Sequence, residues 1–583
     1  MRHRVRVLTI SALAIGLAAA GCSKTENSKG EENAKDQKQS IFIDLKGTTP
    51  VPAPEVKDAR KGGQVLWLQD GNFEHLDPQQ IYVSDALSFS TNLFHRTLTS
   101  YIEPTEEGGT VKIVGDLAIN AGESSEGGKV WKYTLRDGLK YDDGSPIKSA
   151  DIKHSIARSF GTFGQQGAQY IQNALDPDRK YQGPDAATGD AGVPGVTTPD
   201  DKTIIFTFKD PHPEFPSLAV YPNTAPVPAA KDTGAKYEEE WVSSGPYKRK
   251  EYKIDNYLLL ERNPNWDPKT DPIRHQYPDT IKVDFTPNRA TQTQRLIASQ
   301  GEDSSATMTS SVAQENISTV SADPELTKRV LSGITPYANY ININTTKVTD
   351  VDVRRALIYG YDKDAAIKNA GGSKVAVAST TITAANVPGY ENFDVYKAGP
   401  NGDVAKAKAL LAGKTVPKLS YCFANTAAGQ KAAAIVKSSL ERENLFQIAL
   451  NPIDRKDYYT TIGKKDTTCD LMASGWGADY PDNNSTLGVL MDGNQIKAEG
   501  NNNYSYFNDP GINKKLADLR LEPDRAKAAK AYGALDKEIM EKHAPLIPTV
   551  YTRAYTLIGT KLGGAFLSPN YAQVNLTNVY VKA

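Results

Sequence analysis

The chain is poor in several things that large proteins use for chemistry. Three cysteines in 583 residues cannot form a disulfide framework or a four-thiolate zinc site. None of the seven histidines lies three to five residues from another, so no helical zinc pair exists. The sequence has no G-x-S-x-G elbow, no P-loop lysine motif and no G-x-G-x-x-G dinucleotide loop. Ser474-Gly475 lies near Asp479 without a histidine to serve as base. An enzyme is therefore not expected. No charge excess exists either: 68 basic side chains face 69 acidic ones, which excludes a nucleic-acid groove built on clustered positive charge. Mean hydropathy of −0.49 excludes a polytopic membrane protein. What is in excess is tyrosine, 29 against 15 phenylalanines. Many aromatic surfaces here carry a hydroxyl.

The first segment sets the compartment. Met1 to Arg6 is basic, Val7 to Ala20 is mostly apolar, and Gly21-Cys22 follows. About fourteen apolar residues are too few to span a bilayer but suit a secretory signal, here 1–21. Ala19-Ala20-Gly21-Cys22 resembles the bacterial lipobox, with Ala19 where leucine is preferred. That resemblance implies lipidation of Cys22. Residues 22–60 are rich in Lys, Glu, Asn, Pro and Ala and read as a disordered tether with a reach of about 35 Å. Ile41-Phe42-Ile43 is its only apolar cluster.

The remaining cysteines, Cys422 and Cys469, fall in strand-like runs, Lys418 to Phe423 and Cys469 to Ser474. One sits late in its strand and the other at the start. In parallel neighbours that offset separates the sulfurs too far to bond, so two buried free thiols are expected.

From Lys61 the pattern alternates. Gln64 to Leu68, Val130 to Leu135, Thr203 to Phe208 and Ile281 to Phe285 read as strands, as do two pieces flanking Ile254 to Asn256. A helix over Ile152 to Ser159 has Ser149 as its expected cap. Gly161 to Pro199 reads as a long loop. Farther on, Asp350 and Asp362 are placed to cap helices, and Gly371-Gly372 to end the second. Lys418 to Phe423 (strand), Ala427 to Glu441 (helix), Phe446 to Ile453 (strand) and Cys469 to Ser474 (strand) suggest a doubly wound α/β lobe.

Several motifs recur in a fixed order: Leu135-Arg136-Asp137-Gly138 running into Asp143-Gly144-Ser145-Pro146, then Ser244-Gly245-Pro246-Tyr247, then Arg262-Asn263-Pro264. Val353-Arg354-Arg355-Ala356-Leu357, Trp476-Gly477-Ala478-Asp479-Tyr480-Pro481-Asp482 and Ala544-Pro545-Leu546 complete the set. Together they resemble the bacterial extracellular solute-binding proteins, family 5, that serve peptide ABC importers as oligopeptide and dipeptide binders. The resemblance runs from about residue 61 to 583.

It implies an α/β, two-lobed, type II periplasmic-binding-protein-like fold with an extra subdomain in the first lobe. Lobe I would comprise 61–330 plus 550–583, with the subdomain at about 101–240, and lobe II 331–549. A peptide would lie in the inter-lobe cleft, captured outside the cell and passed to an ABC permease and its ATPase. The protein is expected to be a lipid-anchored monomer on the outer face of the membrane, with no cofactor, no metal and no nucleic-acid partner. By position the ligand's α-ammonium would pair with Asp479, flanked by Trp476 and Tyr480. Gly71, Asn72 and Phe73 would line the facing lobe, Asn339 and Tyr340 a crossover, and Ser244 a neighbouring turn. The same scaffold hosts binders of nickel chelates, oligosaccharides or opine-like solutes, and could serve as a surface receptor or chaperone. The acid at position 479 favours a ligand with a free ammonium.

Overall fold

The computed structural model describes residues 40–416 and 418–583; the expected signal segment, Cys22 and the first part of the tether lie outside them. Two hydrophobic cores organise the chain. The first is built mainly by residues 65–285 together with Leu562, Val574, Leu576 and Val579 near the C-terminus, and the second mainly by residues 334–551. In the first body a five-stranded sheet runs in the order Ala306–Met308, Gln64–Leu68, Thr280–Asp284, Tyr257–Arg262 and Tyr247–Lys253. A four-stranded antiparallel sheet, Glu123–Ser125, Val130–Thr134, Thr203–Thr207 and Val196–Asp200, lies within the same body. The fully buried Arg96 and Arg274 share Asp116, each at 2.8 Å, and Arg274 also meets Asp271 at 3.1 Å. Each buried charge thus faces an opposite one, the condition for burying charge at all.

The second body has a six-stranded sheet: β1 (Val330–Ile343), β2 (Ala376–Ala378), β3 (Lys418–Ala424), β4 (Gln447–Ile453), β5 (Leu471–Gly477) and β6 (Leu546–Leu557). Their order is β2-β6-β1-β5-β3-β4. Helix α1 (Ala427–Leu440) packs on β3 and β4, and the Thr426 hydroxyl caps it by accepting from the Gly429 amide at 3.0 Å. Only β3, β4 and β5 are parallel; β1 lies antiparallel to both β5 and β6. The expected doubly wound lobe is therefore a mixed sheet. The long pair β1 and β6 spans both bodies, because Tyr555 and Leu557 pack beside Leu66 and Leu68 while Ile341 and Ile547 pack in the second core. Its register shifts between Ile334 and Tyr340, around Pro336, which has no amide to donate.

Four further expectations need correction. The tether ends earlier than residue 60. Ser40–Ile43 pairs in parallel with Thr110–Gly115, and Ile41 and Ile43 pack on Val111, Ile113 and Val220. The buried Asp44 then fixes a turn by accepting from the amides of Thr48 (2.9 Å) and Thr49 (2.7 Å). A low average hydrophobicity hid one short strand with an apolar face.

The loop over 161–199 is also ordered, with a helix at Tyr170–Leu175 and a strand at Val196–Asp200. His154 pins it by sitting between Asp190 (2.8 Å) and Asp232 (3.0 Å). Helix Ser149–Arg158 begins at Ser149 itself, whose hydroxyl donates to the Asp200 carbonyl rather than capping.

Finally, Cys422 and Cys469 are not free thiols but a disulfide, with Cα atoms 5.8 Å apart. The expected offset assumed that Cys469 is extended within its strand. Instead β5 begins at Leu471, and the chain enters it through a bend at Asp470, whose carboxylate accepts from the Ser420 amide at 2.8 Å. That bend carries Cys469 back across to β3.

The bridge closes a loop with a sequence separation of 47 residues. The double variant Cys422→Ser, Cys469→Ser should lose roughly 2–4 kcal/mol of stability by the chain-entropy scaling. Denaturant titration of both proteins measures this, and equal midpoints would contradict it.

Candidate functional site

β5 carries the residues of interest, and the chain after it is held firmly. The Trp476 indole N–H donates to the Ser485 carbonyl at 2.7 Å, and the Ser485 hydroxyl donates to the Tyr480 carbonyl at 3.0 Å. Asp482 accepts from the Asn484 amide at 2.8 Å, and its other oxygen meets the buried Arg525 at 2.6 Å. Asp482 therefore does the capping in the Tyr-Pro-Asp turn, and Asp479 is left for other work.

The partners of Asp479 all come from the first body. The Tyr82 hydroxyl donates to one carboxylate oxygen at 2.9 Å, and the Tyr170 hydroxyl to the other. Tyr221 donates to the Asp479 carbonyl at 2.6 Å. The rings also touch one another, with Tyr170 meeting Tyr221 at 5.6 Å and Tyr480 edge-on at 5.5 Å. No cation pairs with Asp479 among the described residues. Desolvation therefore pushes its carboxyl up to about 6, against the pull of the two tyrosine hydrogen bonds.

Beside this acid, β5 has an open edge. It pairs with β1 from Tyr337–Gly477 to Ile343–Leu471, but with β3 only at Tyr421–Leu471 and Cys422–Met472. Beyond Met472 the two parallel strands part. The Ala473 carbonyl faces the gap, where it accepts from the Tyr458 hydroxyl at 2.5 Å. Amide groups in an antiparallel pair face the same way at every second residue. Gly475 and Gly477 therefore turn their N–H and C=O groups to the gap as well. Glycine leaves room on both: a Cβ on Gly475 would lie 2.8 Å from Asn339 Oδ1, and one on Gly477 would enter the space of the Tyr337 ring. Where the strands diverge lies a cavity of about 570 Å³, bounded by Asn339, Phe423, Thr426, Arg455, Tyr459 and Gly475 among others. It sits at the carboxyl ends of parallel strands, where open α/β sheets take ligands.

Of the candidate residues Asn339 lines this cavity; Trp476, Asp479 and Tyr480 follow Gly475 in the chain, with the Trp476 indole on the Ser485 carbonyl and the buried Tyr480 ring against Tyr170. The remaining candidates have other engagements. Phe73 is buried and stacks on Phe89 at 4.9 Å. Asn72 clamps a hairpin turn, donating to Asp255 Oδ1 at 2.6 Å and accepting from its amide at 2.9 Å. Gly71 takes a left-handed φ of +83°, and its amide donates to the Phe285 carbonyl. The buried Tyr340 hydroxyl donates to the Ile382 carbonyl. Ser244 is buried; its hydroxyl accepts from the Arg96 amide at 2.9 Å.

Sequence reasoning missed Tyr82, Tyr170, Tyr221 and the open edge. The edge had a signal: two glycines in one strand mark close backbone approach. The tyrosines had only their excess, with nothing to say which of them would meet Asp479.

Comparison with known proteins gives the family and the fold. The profile of "Bacterial extracellular solute-binding proteins, family 5 Middle" matches residues 112–498. The periplasmic oligopeptide-binding protein OppA of Salmonella typhimurium is 25% identical over 542 residues, covering 89% of this chain and 92% of its own. Among solved structures, clavulanic acid biosynthesis oligopeptide binding protein 2 superposes with a TM-score of 0.81 at 29% identity, covering 93% of this chain and 99% of its own. Haemophilus influenzae OppA, solved in complex with the peptide RPPGFSPFR, superposes with a TM-score of 0.65 at 19% identity, covering 90% and 100%.

The raised Asp479 carboxyl predicts a pH-dependent closure. Burial between the two bodies holds its proton to about pH 6, against the opposing hydrogen bonds from the tyrosines, whereas a solvated carboxyl loses it near 4. The arrangement in which the two bodies meet at Asp479 is therefore favoured at low pH, and that preference is lost as pH rises through 6. Small-angle scattering of the ligand-free protein should show a larger radius of gyration at pH 7 than at pH 5, and none of this change in Asp479→Asn. A pH-invariant radius in the unsubstituted protein would refute it.

Proposed function

Because the chain belongs to family 5 of the bacterial extracellular solute-binding proteins, we propose that it captures extracellular peptides between its two lobes and delivers them to an ABC permease with its ATPase. The carrying observation is the open edge of β5 ending at an unpaired acid. An extended main chain can add to Gly475 and Gly477 as a further strand, and its α-ammonium then reaches Asp479. The edge demands alternating N–H and C=O groups from the ligand, which a sugar lacks. The acid demands a cation, which a neutral solute lacks. Both demands are met by a peptide with a free N-terminus. Hydrogen bonds to backbone carry no side-chain information, so this part of the site accepts many sequences.

The two cores are read as lobe I, 61–330 plus 550–583, and lobe II, 331–549. The former also carries the packed segment 40–60. β1 and β6 are the crossovers, and the register shift near Pro336 is the natural place for bending. The protein acts by binding and transfer, without a reaction, as a monomer. Its lipobox-like Ala19-Ala20-Gly21-Cys22 supports anchoring by lipid at Cys22, outside the cell or in the periplasm. Among the described residues no helix is long and apolar enough to cross a membrane.

Asp479→Asn should weaken peptides with a free N-terminus by about tenfold or more, the scale of a charge-assisted hydrogen bond, and spare N-acetylated ones. Calorimetry near pH 6 should also detect proton release on binding to the unsubstituted protein, up to about half a proton, contributed by the molecules in which Asp479 is enclosed before binding. Unchanged affinity with no proton release would remove Asp479 as the anchor. For the lipid, Cys22→Ser should move the protein from the membrane fraction into the soluble fraction; its retention on membranes would exclude the anchor.

A further inference from the structure

We infer that the cavity where β3 and β5 part selects a ligand residue that joins a flat side chain to a carboxylate, recognised by Tyr459 and Arg455. The inference rests on the peptide reading above and names what that site prefers. Among the described residues Arg455 is the only charged one lining the cavity, and no acid lines it. The guanidinium is exposed and has no hydrogen bond or ion pair among the described residues, although Asp454 and Asp457 flank it in sequence. A bound carboxylate would complete it in a bidentate pair. The first turn of α1, capped by Thr426, opens on the same space and adds the positive end of a helix dipole.

The other half of the preference is aromatic. Tyr459 is 58% exposed, an unusual state for a large ring, and it continues a row of rings with Tyr458 at 5.3 Å and Tyr504 at 6.1 Å. Across the cavity Ala428, Gly429 and Ala432 keep the wall thin. A ring can enter there and stack on the tyrosine face. The register follows from strand geometry. Gly475 lies four positions before Asp479, about 13 Å at the usual rise per residue. A peptide anchored at Asp479 by its N-terminus and running back along β5 thus places its fourth residue, or one next to it, in the cavity. A lysine or arginine there would face Arg455 with no acid to offset it.

The test is calorimetry with short peptides: Ala-Ala-Ala-Phe as free acid and as C-terminal amide, Ala-Ala-Ala-Lys and Ala-Ala-Ala-Ala as free acids, and Ala-Ala-Phe-Glu and Ala-Ala-Phe-Gln as amides. The Phe acid should bind about tenfold tighter than its amide, the scale of a charge-assisted bond, and tighter than the Lys and Ala acids. A Glu-over-Gln advantage in the amides would place the carboxylate on a side chain; its absence, with the acid preference kept, would place it at the chain terminus. Arg455→Gln should bring the acid-to-amide ratio close to one and leave the amide's affinity unchanged, and Arg455→Lys should restore part of the ratio. Tyr459→Ala should lower the advantage of Phe over Ala. If peptides bind and depend on Asp479 but the ratio ignores Arg455→Gln, the inference fails and the peptide reading stands. If the unsubstituted protein binds none of these peptides, both fail.

Discussion

An acid enclosed without a cation is the constraint around which the two bodies are arranged. Asp479 leaves the end of β5 and meets hydroxyls that belong to the other body, so its charge can be accommodated only by polar neighbours or by a partner from outside. Tyrosine is the right residue for that boundary. Its ring packs against other rings while its hydroxyl still donates to a carboxylate, and it brings no formal charge that would neutralise the acid permanently. An arginine in the same place would satisfy Asp479 and leave nothing for a ligand to supply. The tyrosine cage keeps the acid solvated enough to exist and unsatisfied enough to bind.

The rigidity of the loop matters as much as its charge. Arg525 holds Asp482, Ser485 holds both Trp476 and Tyr480, and the Cys422–Cys469 bridge fixes the chain as it enters β5. These contacts make the strand a stiff rail between two held ends. The interruption of the ladder lies elsewhere, in β1 and β6. A carboxylate placed by such a frame needs little reordering when an ammonium arrives, and binding then loses less free energy to immobilising the site.

Much of the architecture was legible because local rules were obeyed. The hairpin flanking Ile254 to Asn256, the caps at Asp350 and Asp362 and the left-handed Gly371 all lie where turn and capping chemistry puts them. The Asp479 loop was visible through its motif. What escaped was set by distant contacts. Ile41 and Ile43 read as stray residues until Thr110–Gly115 supplies a sheet to join. Tyr170 sits in a stretch of Gly, Gln and Asp that carries no helical period, and its helix forms because Ile171 and Gln172 are buried by the rest of the body. Phe73 and Tyr340 show the reverse: aromatic residues next to the site in sequence whose rings face inward. The disulfide escaped because one bend of two residues undoes the regular strand spacing.

The strand Ser40–Ile43 also shortens the leash. Were Cys22 lipidated as proposed, about 18 residues would separate the anchor from the first paired residue, a contour of at most about 65 Å. That anchor would confine the body to a layer above the bilayer and attach it at one corner, beside Thr110. Confinement of that kind raises the local concentration of a receptor near any membrane partner to the order of millimolar. Delivery to a permease then becomes a nearly intramolecular event: even a weak docking contact would be occupied often, and would still let go once the cargo has passed.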